Sequence, residues 1–314
     1  MVNQGHHRVQ VLSLADHSTS NSNINATNTQ SSNSTSFPIL HTFGCEGSAP
    51  GQFEFPSGAT VQPSTHHVII ADLGNHRVQV FAPLGSHHLY TIGGVQRSRA
   101  FAKFNSPQGV ACSNSGEIAV ADTSNHRVQV FDPRGRFLLS LGAGKGTNRD
   151  QLIFPWDVAV QARASAILPS SFSSSSSSSS LSTPLNSFGG DEQIYVADYR
   201  NQRVSVWSRR TAQLITTFPV QSQPRRLCLD VDGHVIVGCS DDSIQKFDVR
   251  NFQVLETLNV EPGQFSWVAG LCIDPFNNLF VADASLHRVQ MFMNHKSASS
   301  NNTSHNSAPQ MPHS

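Results

Sequence analysis

The sequence predicts an all-β repeat protein, a β-propeller of five to six four-stranded blades. Three observations carry the prediction. The word His-Arg-Val-Gln recurs at His7–Gln10, His76–Gln79, His126–Gln129 and His287–Gln290, with a weaker copy at Gln202–Ser205. Ahead of the last four of these five copies an apolar run ends in Ala-Asp, at Ala71-Asp72, Ala121-Asp122, Ala197-Asp198 and Ala282-Asp283. With insertions removed the repeat is about 40 to 50 residues long, which is blade length; horseshoe repeats are shorter and Leu-rich.

Within one copy the runs Gly109–Cys112, Ile118–Ala121, Arg127–Phe131 and Arg136–Leu141 read as strands a, b, c and d. They are β-branched or continuously apolar, and turn residues separate them: Asn114-Ser115-Gly116 and Asp132-Pro133-Arg134-Gly135. Aromatic-Pro starts precede strand a at Phe55-Pro56, Phe104 to Pro107 and Phe154-Pro155, with Trp267-Val268 in the last copy. Strand a lines the channel of a propeller, and Gly58 and Gly109 allow its close approach there.

The ends leave the blade number open. Complete copies begin near Phe53, Phe104, Phe154, Pro224 and Trp267, and the N-terminus offers only c and d strands. Either Pro38–Phe43 completes the last blade and makes five, with Val9–Leu12 surplus, or the first of six blades is incomplete. The propeller is placed at 1–296, with insertions at 15–36 and 161–190 that are too polar to join a core. A tail at 297–314 has the same composition. All three are expected to be disordered.

The Asp of Ala-Asp and the Arg of the repeated word lie five apart in every good copy: Asp72/Arg77, Asp122/Arg127, Asp198/Arg203 and Asp283/Arg288. Across a tight b–c turn that spacing brings the side chains together, so a structural charge-assisted pair is expected at each. A residue needed once for chemistry does not recur once per blade. One copy is degenerate: Asp242–Gln245 replaces the word and Val237-Gly238 replaces Ala-Asp. On that alignment Gly238 takes the Asp slot and Ser243 the Arg slot, so both partners are lost together.

Gly-x-Phe-x-x-Pro-x-Gly, then Ile-x-Val-Ala-Asp, then Asn-His-Arg-Val-Gln-Val-Phe resembles the NHL repeat, most directly at Asn75-His76-Arg77 and Asn125-His126-Arg127. The resemblance implies a protein-interaction disc. Such discs often accompany RING and B-box zinc domains in ubiquitin ligases, and this chain has no such zinc ligands. Some NHL discs read single-stranded RNA on a basic face. Related propellers include amidoglycolate lyases and lactonases, but the His residues here fall mainly in the repeated turns or the polar tracts.

Composition bounds the function further. Of 314 residues 38% are hydrophobic and 13% charged, and the formal net charge is zero, so no global field draws nucleic acid or anionic membrane. The five Cys show no metal-ligand spacing and read as small buried hydrophobes in a reducing compartment. No apolar run is long enough to span a membrane, and Met1–Leu14 lacks the core of a signal peptide. The expectation is a monomeric cytoplasmic binding module with no catalytic centre, metal or cofactor.

The two insertions fall in c–d and a–b connections, which share one face of an up-and-down propeller. The d–a segments and b–c turns share the opposite face and are expected to form the working surface. That face is expected to carry Arg97, Arg99, Lys103, Lys145, Arg149, Arg200, Arg225 and Arg226, with few aromatic side chains for stacking.

Overall fold

A computed structural model describes residues 1–13, 37–94, 96–161, 191–258 and 265–293. The disorder expected at 15–36, 161–190 and 297–314 lies outside them, except at Gln161, which is described and hydrogen-bonded to Gln193. The described chain forms six antiparallel sheets in sequence order around a central channel.

The first sheet holds β1 (Val2–Asn3), β2 (Arg8–Leu12) and β3 (Ile39–Phe43). The second holds β4 (Pro56–Val61), β5 (Val68–Asp72), β6 (Arg77–Phe81) and β7 (His88–Gly93). The third holds β8 (Pro107–Cys112), β9 (Ile118–Asp122), β10 (Arg127–Phe131) and β11 (Phe137–Leu141). The fourth holds β12 (Pro155–Val160), β13 (Gln193–Asp198), β14 (Arg203–Ser208) and β15 (Leu214–Pro219). The fifth holds β16 (Pro224–Leu229), β17 (Val235–Cys239), β18 (Ile244–Phe247) and β19 (Val254–Leu258). The sixth holds β20 (Val268–Ile273), β21 (Leu279–Asp283) and β22 (Arg288–Phe292).

This decides the blade number. β3 pairs with β2 in its own sheet, so Pro38–Phe43 does not complete the last blade. Val2–Asn3 pairs with Arg8–Val9, so the N-terminal piece supplies b, c and d strands and not only c and d. Among the described residues there are six sheets, of which the first and sixth have three strands.

The core lies between sheets. Strands b and c are apolar on both faces because neighbouring blades cover both. Ile69, Ala71 and Val78 of one sheet pack on Val110 and Phe104 of the next. Ala121 and Val128 pack on Val158 and Leu152, and Ala197 and Val204 on Leu227. The two aromatic positions before strand a do different work. Phe53, Phe104, Leu152 and Phe265 are plugs sunk between blades, whereas Phe55, nearer the proline, is 47% exposed. Inner strands β4, β8, β12, β16 and β20 lie side by side round a channel of about 530 Å3. Gly109 is needed there: a Cβ on it would lie 2.1 Å from Asp157 Oδ1.

Both long insertions leave from pinned points. Ser13 N–H donates to the Pro38 carbonyl at 2.8 Å, and Gln161 N–H to the Gln193 carbonyl at 2.9 Å.

Candidate functional site

The repeated polar residues converge at the b–c turns. Arg77 Nε lies 2.7 Å from Asp72 Oδ2, Arg127 Nε 2.8 Å from Asp122 and Arg203 Nε 2.8 Å from Asp198. Asp283 and Arg288 face each other in register across β21 and β22, with Asp283 buried and Arg288 exposed. The pair does more than pin its own turn. Asp72 also accepts from Glu54 N–H, Asn75 Nδ2 and Gln79 Nε2. Arg77 then spreads its guanidinium over the carbonyls of Ser48, Ala49 and Gln52 in the d–a loop. Arg127 reaches Ala100 and Lys103 in the same way, and Arg203 reaches Asn148 and Gln151. Each turn therefore holds down the loop that enters its own blade.

The histidine of the repeated word has a job that its place in the sequence does not announce. His7, His76, His126 and His287 sit in the left-handed region with φ of 51°, 54°, 58° and 49°, where His is tolerated better than branched residues. From there the ring reaches the next blade. His7 Nδ1 accepts from Phe55 N–H at 3.2 Å, His76 from Ser106 at 3.1 Å and His126 from Phe154 at 3.1 Å. These three acceptor rings fasten residues that are themselves left-handed, with φ of 49°, 54° and 53°.

An accepting Nδ1 must be unprotonated. Burial, then Lys145 and Arg99, hold the His126 pKa below its ordinary 6.5; burial and Arg97 do the same at His76. A base with a depressed folded pKa binds fewer protons folded than unfolded. Its stabilisation is present above the unfolded value and is lost as pH falls through that value toward the folded one. Thermal stability should therefore fall between about pH 7 and about pH 5. His126→Gln, patterned on Gln202 with its φ of 49°, should flatten that fall in a melting series. A variant profile parallel to wild type would remove the ring from the account.

The b–c turns and d–a loops meet on one face, and its charges are exposed. Arg97, Arg99, Lys103, Lys145, Arg149 and Arg200 all project there in the open. Aromatic rings lie among them, contrary to the expectation of few. Trp156 packs on Tyr199 with ring centroids 4.6 Å apart, and Arg200 lies 5.6 Å over Tyr199. Arg225 lies 5.2 Å over the ring of Trp267, which is 47% exposed. Phe101 is 64% exposed and stacks on Phe137 at 4.6 Å.

The NHL repeat family model matches residues 53–81 and 104–131, the stretches that hold the second and third sheets through strand c. These two stretches match as NHL repeats. Over 71 residues the chain is 42% identical to NHL repeat-containing protein 2 of Gallus gallus, a match that spans 21% of this chain and 10% of that protein.

The register revises the degenerate copy. Gly238 pairs with Ile244 as Ala71 pairs with Val78, so Gly238 takes the Ala slot. Cys239, not Gly238, stands where the other copies carry Asp; it pairs with Pro224 as Asp72 pairs with Pro56. The turn is one residue shorter. Burial pushes the Cys239 thiol up to about 11, so a neutral group faces Ser243 and both charges are absent together. Asp242 takes the His slot, left-handed at φ 63°, and accepts from Val268 N–H at 3.3 Å.

Two of the eight residues expected on the basic face are not exposed there as the other six are. Arg225 is half-buried under Trp267, and Arg226 turns into the channel. Arg226 and Asp157 occupy the slot that Gly58, Gly109 and Gly270 fill on the other inner strands. Asp157 accepts from Leu227 N–H, and Arg226 Nε donates to the Ala269 carbonyl, so each ties its strand to the next. Burial pushes the Asp157 carboxyl up and the Arg226 guanidinium down.

Asp230, Asp232 and His234 cluster at an a–b turn. The Asp230 carboxylate already receives Lys246 Nζ at 2.6 Å, His234 Nδ1 at 3.1 Å and two backbone N–H groups. Burial opposes ionisation there, but these donors hold the carboxyl below its usual range. Protein groups thus satisfy the most buried oxygens of the cluster. Among the described residues no helix is long and apolar enough to cross a membrane.

Proposed function

We propose that the chain is a non-catalytic recognition platform whose loop face takes an acidic segment of a partner protein. One observation carries the reading: six exposed cationic side chains share that face with half-exposed aromatics, two of them under arginine guanidinium groups. Side chains of this type dominate binding energy at protein interfaces. A rigid ring beneath them limits the ordering cost of binding. The ubiquitin-ligase setting is one place such a platform would serve, as the substrate-receiving part.

Single-stranded RNA is the second reading, favoured by the tilted Trp156–Tyr199 pair and the Arg225–Trp267 pair, because bases stack on such rings. One experiment separates them. Affinity capture with wild type and with the triple variant Arg97→Glu, Arg99→Glu, Lys103→Glu should show a protein partner lost from the variant while its melting temperature holds. A uridine oligonucleotide retained by wild type at low salt and released by the variant would favour RNA. A partner set indifferent to charge reversal would refute the role of this face.

A further inference from the structure

We propose that the turn at His126 carries an oxyanion pocket for a phosphorylated side chain of the partner segment. Three donors would hold the phosphoryl group: His126 Nε2–H, the Arg99 guanidinium and the Lys145 ammonium. The inference rests on the reading that the loop face receives an acidic segment, and it names what one part of that face selects.

His126 is fixed before any ligand arrives. The residue is 6% exposed, its Nδ1 accepts from Phe154 N–H at 3.1 Å, and its ring meets the Phe154 ring edge-on with centroids 4.6 Å apart. With Nδ1 accepting, the ring proton sits on Nε2. That donor meets no acceptor among the described residues and is not sealed from solvent. It is left for an acceptor from outside.

Two cations are brought to the turn by their neighbours in sequence. Asn125 Nδ2 donates to the Ser98 carbonyl at 2.7 Å, and Arg127 Nη2 to the Ala100 carbonyl at 2.8 Å. The residues on either side of His126 thus clamp the residues on either side of Arg99. Lys145 is held in a similar way in the loop that enters the fourth sheet. Leu152 N–H donates to the Gly144 carbonyl at 3.1 Å, and Gly146 N–H donates to the Leu152 carbonyl at 3.4 Å. Leu152 is a fully buried plug two residues before Phe154. Arg99 and Lys145 are exposed, and neither forms a salt bridge among the described residues. Their positive field, after burial, lowers the His126 pKa, and no carboxylate offsets it there. At His76, by contrast, Arg97 shares the field with Glu54, Asp122 and Asp72.

Two uncompensated cations and a neutral N–H donor match a phosphate monoester in charge and in number of contacts. Such a group carries about −1.5 to −2 charges at neutral pH and has three acceptor oxygens. A carboxylate offers two oxygens and a single charge, and an RNA phosphodiester two free oxygens and a single charge. With the ring and both loop backbones fixed, two side chains remain to be ordered on binding, which keeps the entropic cost low.

Fluorescence anisotropy with the full chain tests the pocket, using a short labelled peptide of Gly and Asp with a central phosphoserine. It should bind at least about tenfold more tightly than the same peptide with Glu at the centre. The double variant Arg99→Gln, Lys145→Gln should erase that preference. Arg134→Gln, which removes an exposed cation from a c–d turn on the opposite face, should keep it. In the wild-type chain the phosphopeptide should shift the His126 ring signals in proton–nitrogen spectra more than those of His76. A preference that persists in the double variant, equal binding of the two peptides, or binding of neither overturns the pocket and leaves the acidic-segment reading to its own capture experiment. A uridine oligonucleotide that displaces the phosphopeptide at equal affinity also overturns it, by making RNA the ligand. If the chain with Arg97→Glu, Arg99→Glu, Lys103→Glu held both peptides as tightly as wild type, the face itself would fall with the pocket.

Discussion

Asp122→Ala lowers stability by about 3–5 kcal/mol, the range for removing one partner of a buried ion pair. The carboxylate is fully buried and receives Asn105 N–H, Asn125 Nδ2, Arg127 Nε and Gln129 Nε2. Without it the Arg127 guanidinium keeps its loop carbonyls but loses its counter-charge in a nearly closed site. The melting temperature should fall by on the order of 10 °C. The fifth sheet suggests the control. Asp122→Cys with Arg127→Ser reproduces the Cys239/Ser243 pairing, and the double variant should cost clearly less than the two single changes together. Thermal denaturation of the four proteins in the cycle measures the coupling. Strict additivity would mean that the two side chains do not act as a unit.

Phe104→Ala should cost about as much, roughly 3–5 kcal/mol, for a different reason. The ring is sunk between the second and third sheets, 5.6 Å from Phe131 and against Ile69, Val78 and Val80. Gly93 shows how little room there is, since a Cβ on it would lie 2.8 Å from the Phe104 ring. Truncation leaves a hole bounded by two rigid sheets that cannot close in. Phe104→Leu should be markedly milder, because Leu152 fills the same slot one blade on. Equal losses for Ala and Leu in denaturant melts would show that ring shape, not filled volume, is what the site requires.

Much of the blade was legible because its signal is local. The apolar run before Asp122 and the word that begins at His126 are a few residues apart, and their pairing follows from a short turn. What failed were relations across the turn or across blades. Spacing the degenerate copy like the others puts Ser243 in the Arg slot correctly, then counts one residue too far through a turn that is one residue shorter, and so reaches Gly238 in place of Cys239. The histidine bonds join residues 28 to 48 apart, on successive blades. Arg226 reads as another surface Arg beside Arg225 until the inner strands are set in a ring and its slot is seen to face the channel. Trp156 and Tyr199 lie on opposite sides of a long polar tract, and only the pairing of β12 with β13 brings their rings together.

The pinned exits at Ser13–Pro38 and Gln161–Gln193 make two natural splice ports. Each begins and ends at points joined by a backbone hydrogen bond, so the ladder is closed before any inserted chain departs. Doubling the length of such an excursion costs only about 0.6 kcal/mol in closure entropy. A fluorescent domain or affinity tag exchanged for either tract would ride on the side away from the basic loops, and would report on binding without standing in its way.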